Sequence, residues 1–384
     1  MRSCVLKAVP EDFTVTECLG LPTGRAADRD YQYLLLRKRG YTTHEAMSAL
    51  AAHLGVPPDA VAAAGLKDDG GVTEQYLSLR GPVSDGRLRA FSAGIGDDHH
   101  WLRLTAHGYG PEPLRAGDLD GNCFRVVARA LDPGTAETLR EGPARHTLFF
   151  VNYYDAQRFG VPGGPKEAHL MGEALLRGDD ARAFALLRRS GSPEGRLAQG
   201  HRGSPARFLA GLDPRVPVFY RCSYASYQWN GRLRDQVERA ADGRTVDEED
   251  DGIPYTFPTT AEVAVAVLAR CPVLDLDRYR WAAGTIRHDR APRPAVVQTQ
   301  LRIDGVAPDE LHPGRWRCRL SFFLPSGCYA TTAVRQFLLQ REDEREPPVS
   351  GPRRPPAGPR SRPRHPGRGA PWSSGAPGPA GRPR

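Results

Sequence analysis

The chain has 384 residues, 40% of them hydrophobic, with 53 Lys and Arg against 45 Asp and Glu and a formal net charge of +8. That length suits two folded units with a sizeable core, and the lack of any run of about 18 apolar residues, or of an apolar leader core, predicts neither a membrane-spanning helix nor a secretory signal. The charge is no evidence of a polyanion partner, because Pro347 to Arg384 holds eight arginines, no lysine and no acid, and taking those eight from the 53 leaves 45 basic against 45 acidic residues.

The seven cysteines (Cys4, Cys18, Cys123, Cys222, Cys271, Cys318 and Cys328) are scattered and include no C-x-x-C pair. Such spacing predicts reduced thiols rather than a disulfide framework or a zinc site, in a soluble cytoplasmic protein.

Taken in order, Glu11 to Leu19 alternates as a strand and Tyr31 to Arg37 reads as a second, together the start of an antiparallel sheet. Thr42-Thr43-His44-Glu45 is a capping box, and Ala46, Met47, Leu50 and Leu54 recur at helical spacing until Gly55 stops the helix. Pro57 to Ala64 predicts a short helix ended by Gly65, followed by a strand from Val72 to Leu79. Between them Lys67 and Asp68 stand at an element end, where a scaffold holds a carboxylate rigidly and leaves it open to a ligand; solvated charges in a connection are the plainer reading. Trp101 to Thr105 and the residues after Gly121-Asn122-Cys123-Phe124 read as further strands.

From Val151 to about Asp304 the pattern is largely helical and arginine-rich, with helices at Ala168 to Arg177 and Asp180 to Arg189. Arg177, Arg182, Arg188, Arg189, Arg196, Arg202, Arg207 and Arg215 outnumber the nearby acids, which makes this stretch the body's best candidate for a phosphate-facing surface, although solvated helix faces explain such charges almost as well. Asp247-Glu248-Glu249-Asp250-Asp251 reads as an exposed loop, too irregular in spacing for a cation site. Arg319 to Phe337 gives a strand, a Pro/Gly turn and a helix. Past Glu346, Pro, Gly, Arg and Ser predict disorder.

Five stretches resemble, in the same order, motifs of the TruD family of tRNA pseudouridine synthases. They are Leu6-Lys7-Ala8-Val9-Pro10-Glu11-Asp12-Phe13, Gly65-Leu66-Lys67-Asp68 leading to Val72-Thr73-Glu74-Gln75, Gly121-Asn122-Cys123-Phe124, Asn152-Tyr153-Tyr154-Asp155-Ala156-Gln157-Arg158-Phe159-Gly160, and Phe322-Phe323-Leu324-Pro325-Ser326-Gly327-Cys328-Tyr329-Ala330-Thr331. The run Tyr220 to Asn230 is loosely similar to a helix of the family's inserted domain. The resemblance implies an α+β fold. A pseudouridine-synthase catalytic domain on a mainly antiparallel sheet with flanking helices (residues 1–150 and 305–342) would carry an inserted α-rich domain (151–304) and a disordered tail (343–384).

It also implies roles. Asp68 matches the catalytic nucleophile, Lys7 the lysine beside it, Asn122 the amide that hydrogen-bonds near it, and Phe124 the ring that stacks on the target base. A neighbouring cation keeps a carboxylate ionised and nucleophilic, and a ring holds a detached uracil by its face while the base turns over. Without the resemblance, Lys7 reads as an exposed edge lysine and Phe124 as a core aromatic. Lys67, Gln75 and Arg158 are possible supporting residues, Arg158 meeting either a phosphate or an internal acid.

The implied reaction isomerises uridine to the C-linked pseudouridine without cofactor or metal. Asp68 either attacks the ribose C1′ or assists formation of a glycal. The family target is the uridine at tRNA position 13. The chain departs from the family pattern at Asp69-Gly70-Gly71, Pro113 and Asp120, where basic or small residues are usual. Acids there weaken the grip on a phosphate backbone. Two other readings therefore stand beside a tRNA substrate: a uridine-containing small molecule (free uridine or a nucleotide), and an inactive RNA-binding relative. No membrane partner is expected, and a monomer is favoured.

Overall fold

The structure, a computed structural model, describes residues 4–21, 24, 30–67 and 69–343; Asp68 and the tail from residue 344 onward lie outside the described residues. Alternation writes the first strand: β1 (Phe13–Cys18) buries Phe13, Val15 and Glu17 on one face and turns Thr14, Thr16 and Cys18 to the other. After β2 (Tyr31–Arg39), helix α1 (Thr43–Leu54) starts on the expected box, Glu45 N–H donating to Thr42 Oγ1 and Thr42 N–H to the Glu45 carboxylate, and ends at Gly55 in the left-handed region.

The helix expected at Pro57 to Ala64 does not form. A 3-10 turn (Pro58–Ala60) runs straight into a short strand, β3 (Val61–Ala63), which pairs antiparallel with β4 (Val72–Arg80). So short a segment has no helical stability of its own, and pairing beside β4 buries Val61 to 2% exposure. The first two strands are also not neighbours: β4 lies between them, parallel to β1 and antiparallel to β2.

Helix α2 (Asp85–Gly94), β5 (Trp101–Gly110), β6 (Gly121–Leu131), α3 (Pro133–Glu141) and β7 (Arg145–Val151) complete the first half. The chain then runs through α4 (Ala168–Arg177), α5 (Asp180–Arg189), α6 (Pro193–Gln199), α7 (Pro205–Ala210) and the long α8 (Arg215–Ala241). It continues with the hairpin β8 (Thr245–Asp250) and β9 (Ile253–Pro258), α9 (Ala261–Arg270), and the hairpin β10 (Val273–Ala282) and β11 (Thr285–Pro294). This stretch is therefore not purely helical, since it carries two two-stranded sheets. Strand β12 (Val296–Pro308) rejoins the large sheet well before Asp304, and β13 (Trp316–Pro325) and α10 (Ala330–Asp343) follow as expected. Among the described residues the large sheet has nine strands, in the order β5-β2-β4-β1-β6-β13-β12-β7 with β3 beside β4.

The acidic run is not a loop. Asp247, Glu248, Glu249 and Asp250 lie on β8, alternating between solvent and a half-buried face, and Arg335 of α10 meets Asp250 at 2.9 Å and Glu248 at 3.7 Å. One core joins β1, β6, β12 and β13 to α3 and α10, a second joins β2, β4 and β5 to α1 and α2, and a third gathers α8, α9 and β9 around Tyr153 and includes Leu339 of α10.

Candidate active site

Two strands share one edge of β4. β1 pairs with Val72 to Glu74 and β3 with Leu77 to Leu79, so the connection that leaves β3 through Ala64 to Lys67 emerges in the gap between them. Gly71 is required here, since a Cβ at that position would run into the Phe13 carbonyl oxygen. The Glu17 carboxylate fills the gap, accepting from the Tyr76 N–H at 2.9 Å and from Lys67 Nζ at 2.7 Å.

Lys67 is thus not presented to solvent as the sequence suggested. Its side chain and that of Glu17 are 7% and 0% exposed, and a buried cation is tolerated only when paired. Its backbone is held as well. Thr43 Oγ1 accepts from Lys67 N–H at 2.8 Å and donates to Gln75 Oε1 at 2.8 Å, while Gln75 Nε2 donates to Gly65 O at 2.9 Å. Lys38, fully buried, donates from Nζ to Lys67 O at 3.0 Å and to Tyr41 O at 2.7 Å. The residue covalently joined to Asp68 is therefore fixed at its N–H, its carbonyl and its side chain. Of these holders, sequence reasoning named Gln75 and missed Glu17, Lys38 and Thr43.

All five family-like stretches line one cavity of about 170 Å³: Lys7 and Phe13 from the first, Lys67 and Thr73 from the second, Asn122 and Phe124 from the third, Gln157 from the fourth, and Tyr329 to Thr331 from the fifth. Lys7 adopts a left-handed φ of 59°, a conformation a non-glycine residue keeps only where its surroundings impose it, and its ammonium sits 4.4 Å from the Phe13 ring centroid. Its segment is pinned by Val5 exchanging backbone hydrogen bonds with Arg129, and by Asp12, bound bidentately by the buried Arg129 at 2.8 and 2.9 Å. Phe124 meets both of its readings: it is a core aromatic, 7% exposed and stacked on Phe322 at 5.5 Å, and it also faces the cavity.

The Lys67 charge is matched by Glu17, which leaves Lys7 and the positive N-terminal end of α10 as the favourable field for an anion here. Asp69 and Asp120 are exposed. The one cysteine of the cavity, Cys328, is no rival nucleophile, because burial pushes its thiol up to about 11. Among the described residues no cluster of three or more His, Cys, Asp or Glu side chains is placed to hold a metal ion.

Arg158 stands apart from the cavity. Its guanidinium lies 5.4 Å from the Phe219 ring and 5.9 Å from that of Tyr154, and Nε donates to Ser226 Oγ at 3.3 Å, so neither a phosphate nor an acid is needed to account for it. The fourth stretch is fastened to α8: Asn230 brackets the Tyr154 backbone at 2.8 Å on both sides, and Trp229 Nε1 donates to Asn152 O at 3.1 Å. A larger, mainly apolar cleft of about 630 Å³ shares Leu66 with the small cavity and runs along α4 and α8. Of the arginines of this region, Arg177 and Arg182 pair with Glu173, Arg189 with Glu167 and Arg215 with Asp213.

The model of the family described as tRNA pseudouridine synthase D (TruD) matches residues 2–197. A relative from Methylococcus capsulatus, named tRNA pseudouridine synthase D, is 29% identical over 344 residues, covering 87% of this chain and 90% of its own. One of the same name from Thermus thermophilus is 28% identical over 347 residues, covering 87% and 88%. A solved structure from Methanosarcina mazei, titled as a putative tRNA pseudouridine synthase D, matches in fold with a TM-score of 0.54 at 20% identity, covering 88% of this chain and 94% of that one.

Proposed function

Because this chain belongs to the tRNA pseudouridine synthase D (TruD) family, we propose that it isomerises a uridine of tRNA to pseudouridine in the small cavity, with Asp68 as nucleophile. The observation that carries this reading is the convergence of five stretches far apart in sequence on one cavity holding Lys7, Asn122 and Phe124. Its volume of about 170 Å³ is well below the roughly 300–1,000 Å³ of sites for drug-sized ligands. That is room for one flipped base rather than a stacked segment of RNA.

In this reading the Asp68 carboxylate, kept ionised by Lys7 and the N-terminal end of α10, promotes departure of uracil from C1′, the N1–C1′ electron pair leaving with the base. The base turns over against Phe124, whose ring is backed by Phe322 and met edge-on by Phe13, a stiff platform that contacts a face and not an edge. C5 then bonds to C1′ while any Asp68–C1′ ester bond breaks and restores the carboxylate; a proton leaves C5 and N1 gains one, so substrate and product have the same atoms. Lys67 serves through its bond with Glu17 by setting the start of the loop, and Gln75 by holding Gly65.

The exposed arginines along α4 to α8 supply backbone contacts in this reading, with those already paired to acids contributing least. The catalytic fold comprises the strands before Val151 and those from Val296 onward, with the intervening residues as the inserted domain, and the protein acts in the cytoplasm. The test is to incubate the protein with unmodified tRNA, UMP and uridine in parallel and to look for pseudouridine by chromatography coupled to mass spectrometry. Product from tRNA alone is expected. Product from UMP or uridine instead, or from none of the three, contradicts the reading.

A further inference from the structure

We propose that Thr73 is a substrate-positioning residue whose hydroxyl holds a carbonyl oxygen of the target uracil. The proposal rests on the pseudouridine-synthase reading of the same cavity. Thr73 is 3% exposed, lines the cavity, and has no hydrogen-bond partner for Oγ1 among the described residues. Buried hydroxyls nearly always have a partner, and one left open inside a cavity is poised for a ligand. Valine has the same shape and suits a strand at least as well, so packing alone does not call for the hydroxyl.

The strand register places it. Thr73 pairs with Val15, Val15 with Phe124, and Phe124 with Phe322, so Thr73 and Phe124 stand in one row, two strands and about 10 Å apart. A flat base resting on the cavity side of Phe124 turns an edge toward Thr73, whose branched side chain is stiff at χ1. Asn122, two residues from Phe124 on the same face of β6, also has a buried Oδ1 without a partner among the described residues.

A hydroxyl and an amide oxygen together complement the uracil imide, an N3–H flanked by two carbonyls. Turning the base over about the line through N3 and C6 exchanges N1 with C5 and O2 with O4, while N3–H stays in place. The same two protein groups therefore meet the same pattern before and after the turn. Cytosine offers no N3–H, which leaves the Asn122 amide oxygen facing a ring lone pair, whereas the Thr73 hydroxyl, able to donate or to accept, tolerates either base edge.

The experiment compares the parent, Thr73→Val and Thr73→Ser on tRNA transcripts carrying uridine, 2-thiouridine or 4-thiouridine at the target, in single turnover, with binding measured separately. Thr73→Val is expected to slow conversion of uridine about 10-fold at unchanged tRNA affinity, and Thr73→Ser to stay within about 3-fold of the parent. Sulfur accepts hydrogen bonds poorly, so at least one thio substrate should slow the parent and add little in Thr73→Val, the non-additivity of a shared contact. Thr73→Ala serves the same comparison if the valine variant loses its cooperative unfolding transition. An active parent with an equally fast Thr73→Val, or a thio effect of the same size with and without the hydroxyl, overturns this inference alone. A parent that makes no pseudouridine overturns the functional reading and this one with it.

Discussion

A carboxylate at an inward position of a strand is costly unless something meets it, and Glu17 is met twice, by Lys67 and by the Tyr76 N–H. Truncating it strands a buried ammonium and reopens the gap along β4, so Glu17→Ala is expected to lower stability by about 3–5 kcal/mol, read from the midpoint of urea unfolding. Glu17→Gln, which fills the same gap and keeps an acceptor for one of the two donors, should lose less. The candidate residues Lys7, Asp68, Asn122 and Phe124 were legible because they stand inside recognisable motifs. Glu17, Lys38 and Thr43 were not, since their partners lie across strands whose neighbours the sequence does not give. One signal was available: Glu17 shares the buried phase of β1 with Phe13 and Val15, as Lys38 shares that of β2 with Leu34 and Leu36. A charge on an inward phase implies a buried partner.

At the scale of elements, α10 gathers both ends of the fold. Its first turn borders the cavity, where Thr331 Oγ1 donates to Asp155 at 2.5 Å, and one turn on, Arg335 engages the acids of β8. Arg335 is 15% exposed and its partners about the same, so Arg335→Met is expected to cost about 2–3 kcal/mol and to make the β8–β9 hairpin exchange its amide hydrogens faster, measurable by hydrogen exchange with mass spectrometry. Unchanged protection of the hairpin would show that the pairing fastens nothing. The acidic run was read as a loop because five acids in a row look solvated; the alternation within it has meaning only once an arginine lies against one face. Pro57 to Ala64 was misread for a related reason. Its start and stop signals suit a helix, yet an open edge of β4 lay beside it.

Across the whole molecule, Arg129 is a buried junction between the N-terminal segment and the turn joining β12 to β13, bonding Asp12 and, at 2.8 Å, Asp309. Burial alone would raise the Asp309 carboxyl, but the N–H groups of Ala130 and Leu311, with His312 and Arg129, outweigh it and hold the group well below the usual carboxylate range. A depressed folded-state value contributes stability above the ordinary Asp range near 3.9 and loses it as pH falls from there toward the folded value. Thermal unfolding followed from pH 6 downward should therefore steepen below about pH 4, and Asp309→Asn should be less stable at pH 6 with a flatter acid limb. An acid limb identical to the parent's would remove Asp309 from the account. The α+β class and the position of the C-terminal strand and helix were legible from the order of the motifs. The placing of β4 between β1 and β2 was not, because pairing partners are chosen by non-local packing.

The account stands most directly on single-turnover conversion of an unmodified tRNA transcript by the parent and by Asp68→Asn, an isosteric change that removes the charge, with tRNA binding measured for both. Pseudouridine from the parent, a loss of at least about 1,000-fold in the variant and affinities within about 3-fold of each other are the predicted result. Conversion by Asp68→Asn at the parent's rate would contradict the account, whatever the cavity around Lys7 and Phe124 looks like.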